Sequence, residues 1–197
     1  VEVTSSLPKR KQEPKEILPV PEQASVFSSE QKRYVLQKMI GRGGYAAVSL
    51  ATDQDIQRRI AIKTYTRDAD SSRECCQKEL EIMGVLEHPG IPSIYDFGTN
   101  DEDQYYCTMQ YIEGETLRSV INRLKENDPE THKRYPFAER GNIIIQLLRA
   151  VKAAHDKGII HRDIKPDNIM VASDGTVFLI DWGIAKKVDN ITKEQFI

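Results

Sequence analysis

The chain has 197 residues, 39% of them hydrophobic and 29% charged, a composition of one globular domain with a remainder rather than of a fibrous or disordered chain. Lys and Arg number 28 against 30 Asp and Glu, a formal charge of −2, so no basic excess exists to hold a phosphate backbone and a nucleic-acid partner is disfavoured. The longest apolar runs, 143–145 and 177–180, are far too short for a membrane span, no signal peptide opens the chain, and Cys75, Cys76 and Cys107 make no disulfide framework, so a reducing, cytoplasmic setting is expected.

In chain order, residues 1–33 come first. They hold four of the nine prolines, mixed charges and Phe27 as their one aromatic, which reads as a flexible N-terminal arm. Short β-rich segments follow at 34–40, 45–52, 59–66 and 104–111, separated by Gly, Asp or Asn. A single helix interrupts them: Ser71-Ser72-Arg73-Glu74 fits a capping box, and the helix runs to about Leu86 before His88-Pro89-Gly90 stops it. Beyond Gly114 the pattern turns helical, with Ile143, Ile144, Leu147, Leu148, Val151 and Ala154 in one apolar stripe. Residues 127–136 read as a polar loop between two helices, and Asp174-Gly175 marks a hairpin turn. A sheet-rich part followed by a helix-rich part predicts a two-lobed α+β enzyme with a cleft between the lobes.

Five segments carry chemistry. Gly41, Gly43 and Gly44 lie between two predicted strands, where a backbone without Cβ atoms lets N–H groups approach a phosphate. A strand rather than a helix follows, which argues against a Rossmann turn, and no Gly-Lys-Ser/Thr is present for a P-loop. A tight hairpin without a ligand and a phosphate clamp both fit. In Ile60-Ala61-Ile62-Lys63 the strand alternation puts Ala61 and Lys63 on one face, where Lys63 is either a solvated edge residue or a phosphate contact. Glu79 falls among the apolar positions of its helix, so its carboxylate needs a partner, and Lys63 is the obvious one. His161-Arg162-Asp163-Ile164-Lys165-Pro166-Asp167-Asn168 is a polar loop pressed between apolar segments, which suits a cleft, and Asp181-Trp182-Gly183 ends the next strand. If Asp174-Gly175 is a two-residue turn, Asn168 stands opposite Asp181, and their hard oxygens suit Mg²⁺.

In this order and context the segments resemble the eukaryotic-like protein kinases over about residues 34–187, and the wording around 158–186 resembles the bacterial serine/threonine members. The resemblance implies a kinase domain over 34–197, with an N-lobe at about 34–112 and a partial C-lobe at about 113–197. It implies ATP and Mg²⁺ as cofactors and a protein substrate offering Ser or Thr. Ile40, Gly41, Gly43, Gly44, Val48, Ala61, Met109, Gln110, Tyr111, Ile112 and Met170 would surround the nucleotide, with Met109 as gatekeeper and 110–112 as hinge. Lys63, paired with Glu79, would hold the α- and β-phosphates. Asp163 would be the base, Lys165 would steady the transferring phosphoryl, and Asn168 and Asp181 would bind Mg²⁺. Met83, Ile94, His161 and Trp182 would stack inside the protein. Arg162 would pair with a phosphate on the activation segment, which holds Thr192, and a dimer would serve trans-autophosphorylation.

Ala46 stands in place of a third loop glycine and Trp182 in place of the usual Phe. The chain ends at Ile197 with no Ala-Pro-Glu, so the expectation is a partial domain, unstable or inactive alone, that could belong to a membrane-anchored protein. A rival reading is an ATP-binding pseudokinase or scaffold. Its expected mark is the loss of Lys63, Asp163, Asn168 or Asp181, and all four are present.

Overall fold

The computed structural model describes residues 33–44, 46–65 and 69–188. Residues 1–32 of the expected arm, Tyr45, residues 66–68 and Thr192 lie outside the described residues; Arg33, the last residue assigned to that arm, is described and is bonded to the sheet through Asp53 and Asp96 rather than free.

A five-stranded antiparallel sheet forms from β1 (Tyr34–Arg42), β2 (Ala46–Asp53), β3 (Arg58–Tyr65), β4 (Ile94–Thr99) and β5 (Tyr105–Gln110), in spatial order β1-β2-β3-β5-β4. Its two faces bury different sets. Tyr34, Ala51, Ile60, Ile62 and Tyr106 pack together on one face, while Ala46, Tyr65 and Cys107 meet Cys76 of helix α1 (Ala69–Met83) on the other. Arg33 closes the far end of the sheet, bonding Asp53 at 3.0 Å and Asp96 at 3.3 Å, and Tyr34 donates its hydroxyl to Asp96 at 2.8 Å.

Helix α1 differs from the sequence reading at both ends. It starts at Ala69, so Ser71 lies within its first turn rather than capping it, and it ends at Met83, short of Leu86. At the C-terminus the hydrogen bonds tighten, with Val85 N–H donating to Ile82 O and Leu86 N–H to Met83 O, three residues back rather than four. Leu86 is still buried.

The second lobe opens on a strand the sequence did not announce, β6 (Gly114–Thr116), and only then turns helical in α2 (Leu117–Lys125), whose first turn is capped by the Thr116 hydroxyl accepting from Ser119 N–H. The expected polar loop at 127–136 contains a short helix, α3 (Pro129–Arg134). Asp128 caps it, accepting from Thr131 N–H at 2.9 Å, and Pro129 fits the first turn, where no N–H partner is needed. Helix α4 (Phe137–Asp156) buries Ile143, Leu147, Ala150 and Ala154, but Ile144 and Leu148 are 47% and 59% exposed. The helix meets the core along a single 3–4-spaced row, so the expected broad stripe is half core and half open surface among the described residues.

After α4 come β7 (Ile159–Ile160), a 3-10 turn at Pro166–Asn168, β8 (Ile169–Ala172), β9 (Val177–Leu179) and β10 (Lys186–Lys187). Strands β6, β8 and β9 form one small sheet and β7 pairs with β10. No helix among the described residues is long and apolar enough to cross a membrane.

Gly114 pairs with Ala172 so closely that a Cβ there would lie 2.2 Å from Val171 O and 2.7 Å from Ala172 Cα, both backbone atoms. Gly114→Ala is therefore expected to part β6 from β8 and to cost about 1–3 kcal/mol of stability, read as a lowered Tm in thermal unfolding. An unchanged Tm would show that the strands can spread freely.

Candidate active site

The glycine segment sits in the β1–β2 hairpin. Gly41 pairs with Val48 across the two strands, Gly43 N–H donates to Ala46 O at 2.8 Å, and Ile40, just before Gly41, is exposed. Val48 in turn pairs with Lys63 of β3, so three adjacent strands carry the glycine turn directly to the lysine.

Lys63 lies at the centre of a charge cluster. Its Nζ donates to both Glu79 oxygens at 2.7 Å and to Asp181 Oδ1 at 3.1 Å, the last a contact between residues 118 apart that joins the two lobes. Glu79 is 2% exposed and accepts a third hydrogen bond, from Tyr65 Oη at 2.8 Å. Burial disfavours the lysine charge, but Glu79 and Asp181 together outweigh it and hold the ammonium pKa above its usual value. The same packing pushes the Cys76 thiol up to about 12, burial first and the Glu79 charge second, so it stays protonated.

A second cluster forms around Asp163. Its Oδ2 accepts from Lys165 Nζ at 2.7 Å and Asn168 Nδ2 at 2.8 Å, and these bonds, Lys165 first, hold its pKa below the usual carboxylate value. Asn168 Nδ2 also donates to Asp163 O at 3.0 Å. Arg162, which precedes Asp163, has φ +67° and donates from Nε to Ile184 O at 2.6 Å; Asp181 has φ +62°. Two non-glycine residues in the left-handed region are costly and persist only where surrounding bonds enforce them.

His161 ties the clusters together. Its Nε2 lies 3.0 Å from Ile180 O and so donates to that carbonyl, leaving Nδ1 to accept from Asp163 N–H at 3.2 Å. Only the neutral ring serves both bonds, and burial lowers its pKa accordingly. The ring packs edge-on against Trp182 at 4.5 Å, and Trp182, fully buried, shares its cluster with Met83 and Ile94 and donates Nε1–H to Leu179 O at 3.1 Å.

The hairpin linking these groups corrects one expectation. Ala172 N–H donates to Thr176 O and Val171 pairs with Val177, so the loop is Ser173-Asp174-Gly175, with Gly175 at φ +87°. The loop is one residue longer than a two-residue turn and shifts the register by one. Asn168 O consequently receives Ile180 N–H at 2.9 Å, and Asn168 does not stand opposite Asp181. Its side chain turns to Asp163 instead.

The remaining expected contacts lie at the junction of the lobes. Met109 pairs with Ala61 and Gln110 with Ile60, and Gln110 N–H donates to Ser93 O at 2.9 Å. Tyr111 lies under the Arg59 guanidinium, 5.2 Å from ring centroid to Cζ. Ile112 packs with Met170, Ala172 and Phe178 in a small apolar cluster. Sequence reasoning missed Tyr65, although the signal was there, since the alternation that joins Ala61 to Lys63 continues to it. It also missed the ion pair of Arg118 with Asp167 at 3.0 Å.

Comparison with known proteins places the chain in a family. The protein kinase domain family matches residues 34–197, and the chain belongs to that family. Among curated relatives, serine/threonine-protein kinase PknD of Protochlamydia amoebophila is 36% identical over 171 residues, covering 83% of this chain and 17% of the relative. Serine/threonine-protein kinase PrkC of Bacillus subtilis is 39% identical over 163 residues, and probable serine/threonine-protein kinase PknB of Corynebacterium glutamicum is 37% identical over 166, each match covering 81% of this chain and 24% of the relative. The chain thus spans a quarter or less of the length of these relatives.

Proposed function

We propose that the protein is a serine/threonine kinase that transfers the γ-phosphoryl group of ATP to a protein hydroxyl. The observation that carries this reading is the convergence of Lys63, Glu79 and Asp181 beside the glycine hairpin, with the Asp163, Lys165 and Asn168 cluster joined to it through His161. On this reading residues 34–112 cover the nucleotide and residues 113–197 belong to the lobe that meets the acceptor. The three free cysteines fit a cytoplasmic domain.

The residues present fit both cofactors. A buried but charged lysine beside a hairpin with little side-chain bulk suits the phosphates of ATP, with Ile40, Val48, Ala61, Met109, Ile112 and Met170 as the apolar groups near the base. Asn168 spends its Nδ2 on Asp163, which leaves Oδ1 as a hard oxygen, and Asp181 keeps Oδ2 beyond its contact with Lys63. Two such oxygens match Mg²⁺, which takes few protein ligands and keeps waters and phosphate oxygens. When bound, Mg²⁺ neutralises phosphate charge that develops during transfer.

The protein's own groups do the rest. Lys63 draws the α- and β-phosphates toward β3. Asp163 Oδ2 is filled by Lys165 and Asn168, so Oδ1 is the oxygen that receives the acceptor hydroxyl hydrogen and aims the nucleophile. Lys165, held at 2.7 Å from Asp163, places a positive charge where the phosphoryl passes. Phosphoryl transfer needs little beyond such positioning and charge. The test is incubation of the full-length protein with ATP, Mg²⁺ and protein acceptors, followed by phosphoamino-acid analysis. Phosphoserine or phosphothreonine is expected; nucleotide binding without transfer to any protein, itself included, would favour the binding-module reading.

A further inference from the structure

We infer that Tyr65 is a positioning residue for phosphoryl transfer, its hydroxyl fixing the Glu79 carboxylate that in turn holds Lys63. The inference rests on the function proposed above.

Tyr65 is the last residue of β3 and, by strand alternation, shares the face of Ala61 and Lys63. Its side chain is 3% exposed, closed in by Ala46, Cys76 and Cys107. The hydroxyl donates to Glu79 Oε2 at 2.8 Å, and the Lys63 ammonium lies 5.6 Å from the ring centroid. One side chain therefore bonds Glu79 directly and sets its ring within cation–π range of Lys63. Burial first, then the neighbouring Cys107 and Glu79, keep the phenol protonated, so it always donates.

The need for a second donor follows from how Lys63 is shared. Its ammonium already divides between Glu79 and Asp181, and phosphates would divide it further. A carboxylate as buried as Glu79 is costly once its partner is drawn away. Tyr65 keeps one of its oxygens bonded through that step, so α1 stays docked while Lys63 turns to the nucleotide. Any large apolar residue could fill the space; only a hydroxyl supplies the bond.

Tyr65→Phe removes that hydroxyl and keeps the ring. In the full-length protein it should lower kcat roughly ten- to a hundredfold, the scale of one hydrogen bond to a buried charge, with the KM for the protein acceptor unchanged. In the ligand-free protein it should speed amide hydrogen exchange in α1. Because Tyr65 acts through Glu79, neither effect should deepen when Tyr65→Phe is added to Glu79→Gln. Wild-type kcat and wild-type α1 exchange in Tyr65→Phe would overturn the inference, and so would losses of equal size in the Glu79→Gln background. A wild-type protein without transfer activity would count against the proposed function instead, while α1 exchange would still decide the role of Tyr65.

Discussion

Asp163→Asn in the full-length protein is expected to abolish measurable phosphoryl transfer, a loss of about a thousandfold or more, while ATP binds with near wild-type affinity. A positioned general base is worth roughly 10²–10⁴-fold. Here the substitution also disturbs the groups around it. Lys165 and Asn168 both donate to Asp163 Oδ2, and a neutral amide is a weaker acceptor for both, so Lys165 loses the anion that anchors it. The nucleotide contacts proposed for Lys63 and the glycine hairpin involve neither group, and Asn168, proposed to hold Mg²⁺, keeps its 3.0 Å bond to the Asp163 backbone oxygen, so affinity should be spared. Steady-state phosphotransfer and equilibrium nucleotide binding, measured on one preparation, separate the two effects. Retained full activity would sink the role assigned to Asp163, and loss of ATP binding would show that the residue organises the whole site.

Lys63→Met should be comparably severe and should damage stability as well. The substitution removes the cation proposed to hold the phosphates and strands Glu79, at 2% exposure, with the Tyr65 hydroxyl as a remaining partner. Breaking a buried ion pair from one side costs about 3–5 kcal/mol, softened where the orphan can take up a proton. Adding Glu79→Gln to Lys63→Met removes the stranded charge, so the double variant should recover part of the lost Tm but none of the lost kcat. Thermal unfolding and kcat on the two single variants and the double variant test this directly. A near-wild-type rate in Lys63→Met would refute the arrangement. Equal Tm in the single and double variants would mean that Glu79 is not stranded when Lys63 goes.

The Lys63–Glu79 pair is legible in the sequence because each residue violates its surroundings in a way the other can repair. A carboxylate at an apolar helical position and a lysine on a small-residue strand face are each unstable alone. The loop from His161 to Asn168 draws notice for a similar reason, being polar yet pressed between two apolar segments; in the structure its ends, His161 and Asn168, are buried, while Arg162, Ile164, Lys165 and Asp167 are exposed. Helix α3 was hidden because Asp128 and Pro129 serve equally well in a turn or at a helix start. The open side of α4 was hidden because apolar spacing reports which residues could be buried, and Ile144 and Leu148 satisfy that pattern while lying exposed.

What the sequence determined by itself is the set of local alternations and motifs: which residues share a strand face, where the glycine hairpin turns, and which charges cannot be left unpaired. Tertiary structure alone decided how those pieces meet. Asp181 joins Lys63 from 118 residues away, Tyr65 reaches Glu79 across the sheet–helix packing, and Asn168 turns to Asp163 rather than toward Asp181. The last case shows the physical reason. One extra residue in the loop Ser173-Asp174-Gly175 shifts the pairing of β8 with β9 by one position, and a one-residue slip changes every cross-strand neighbour. Side-chain periodicity survives such a slip unchanged, so the identities of long-range partners are written in loop geometry and packing rather than in the pattern of the strands.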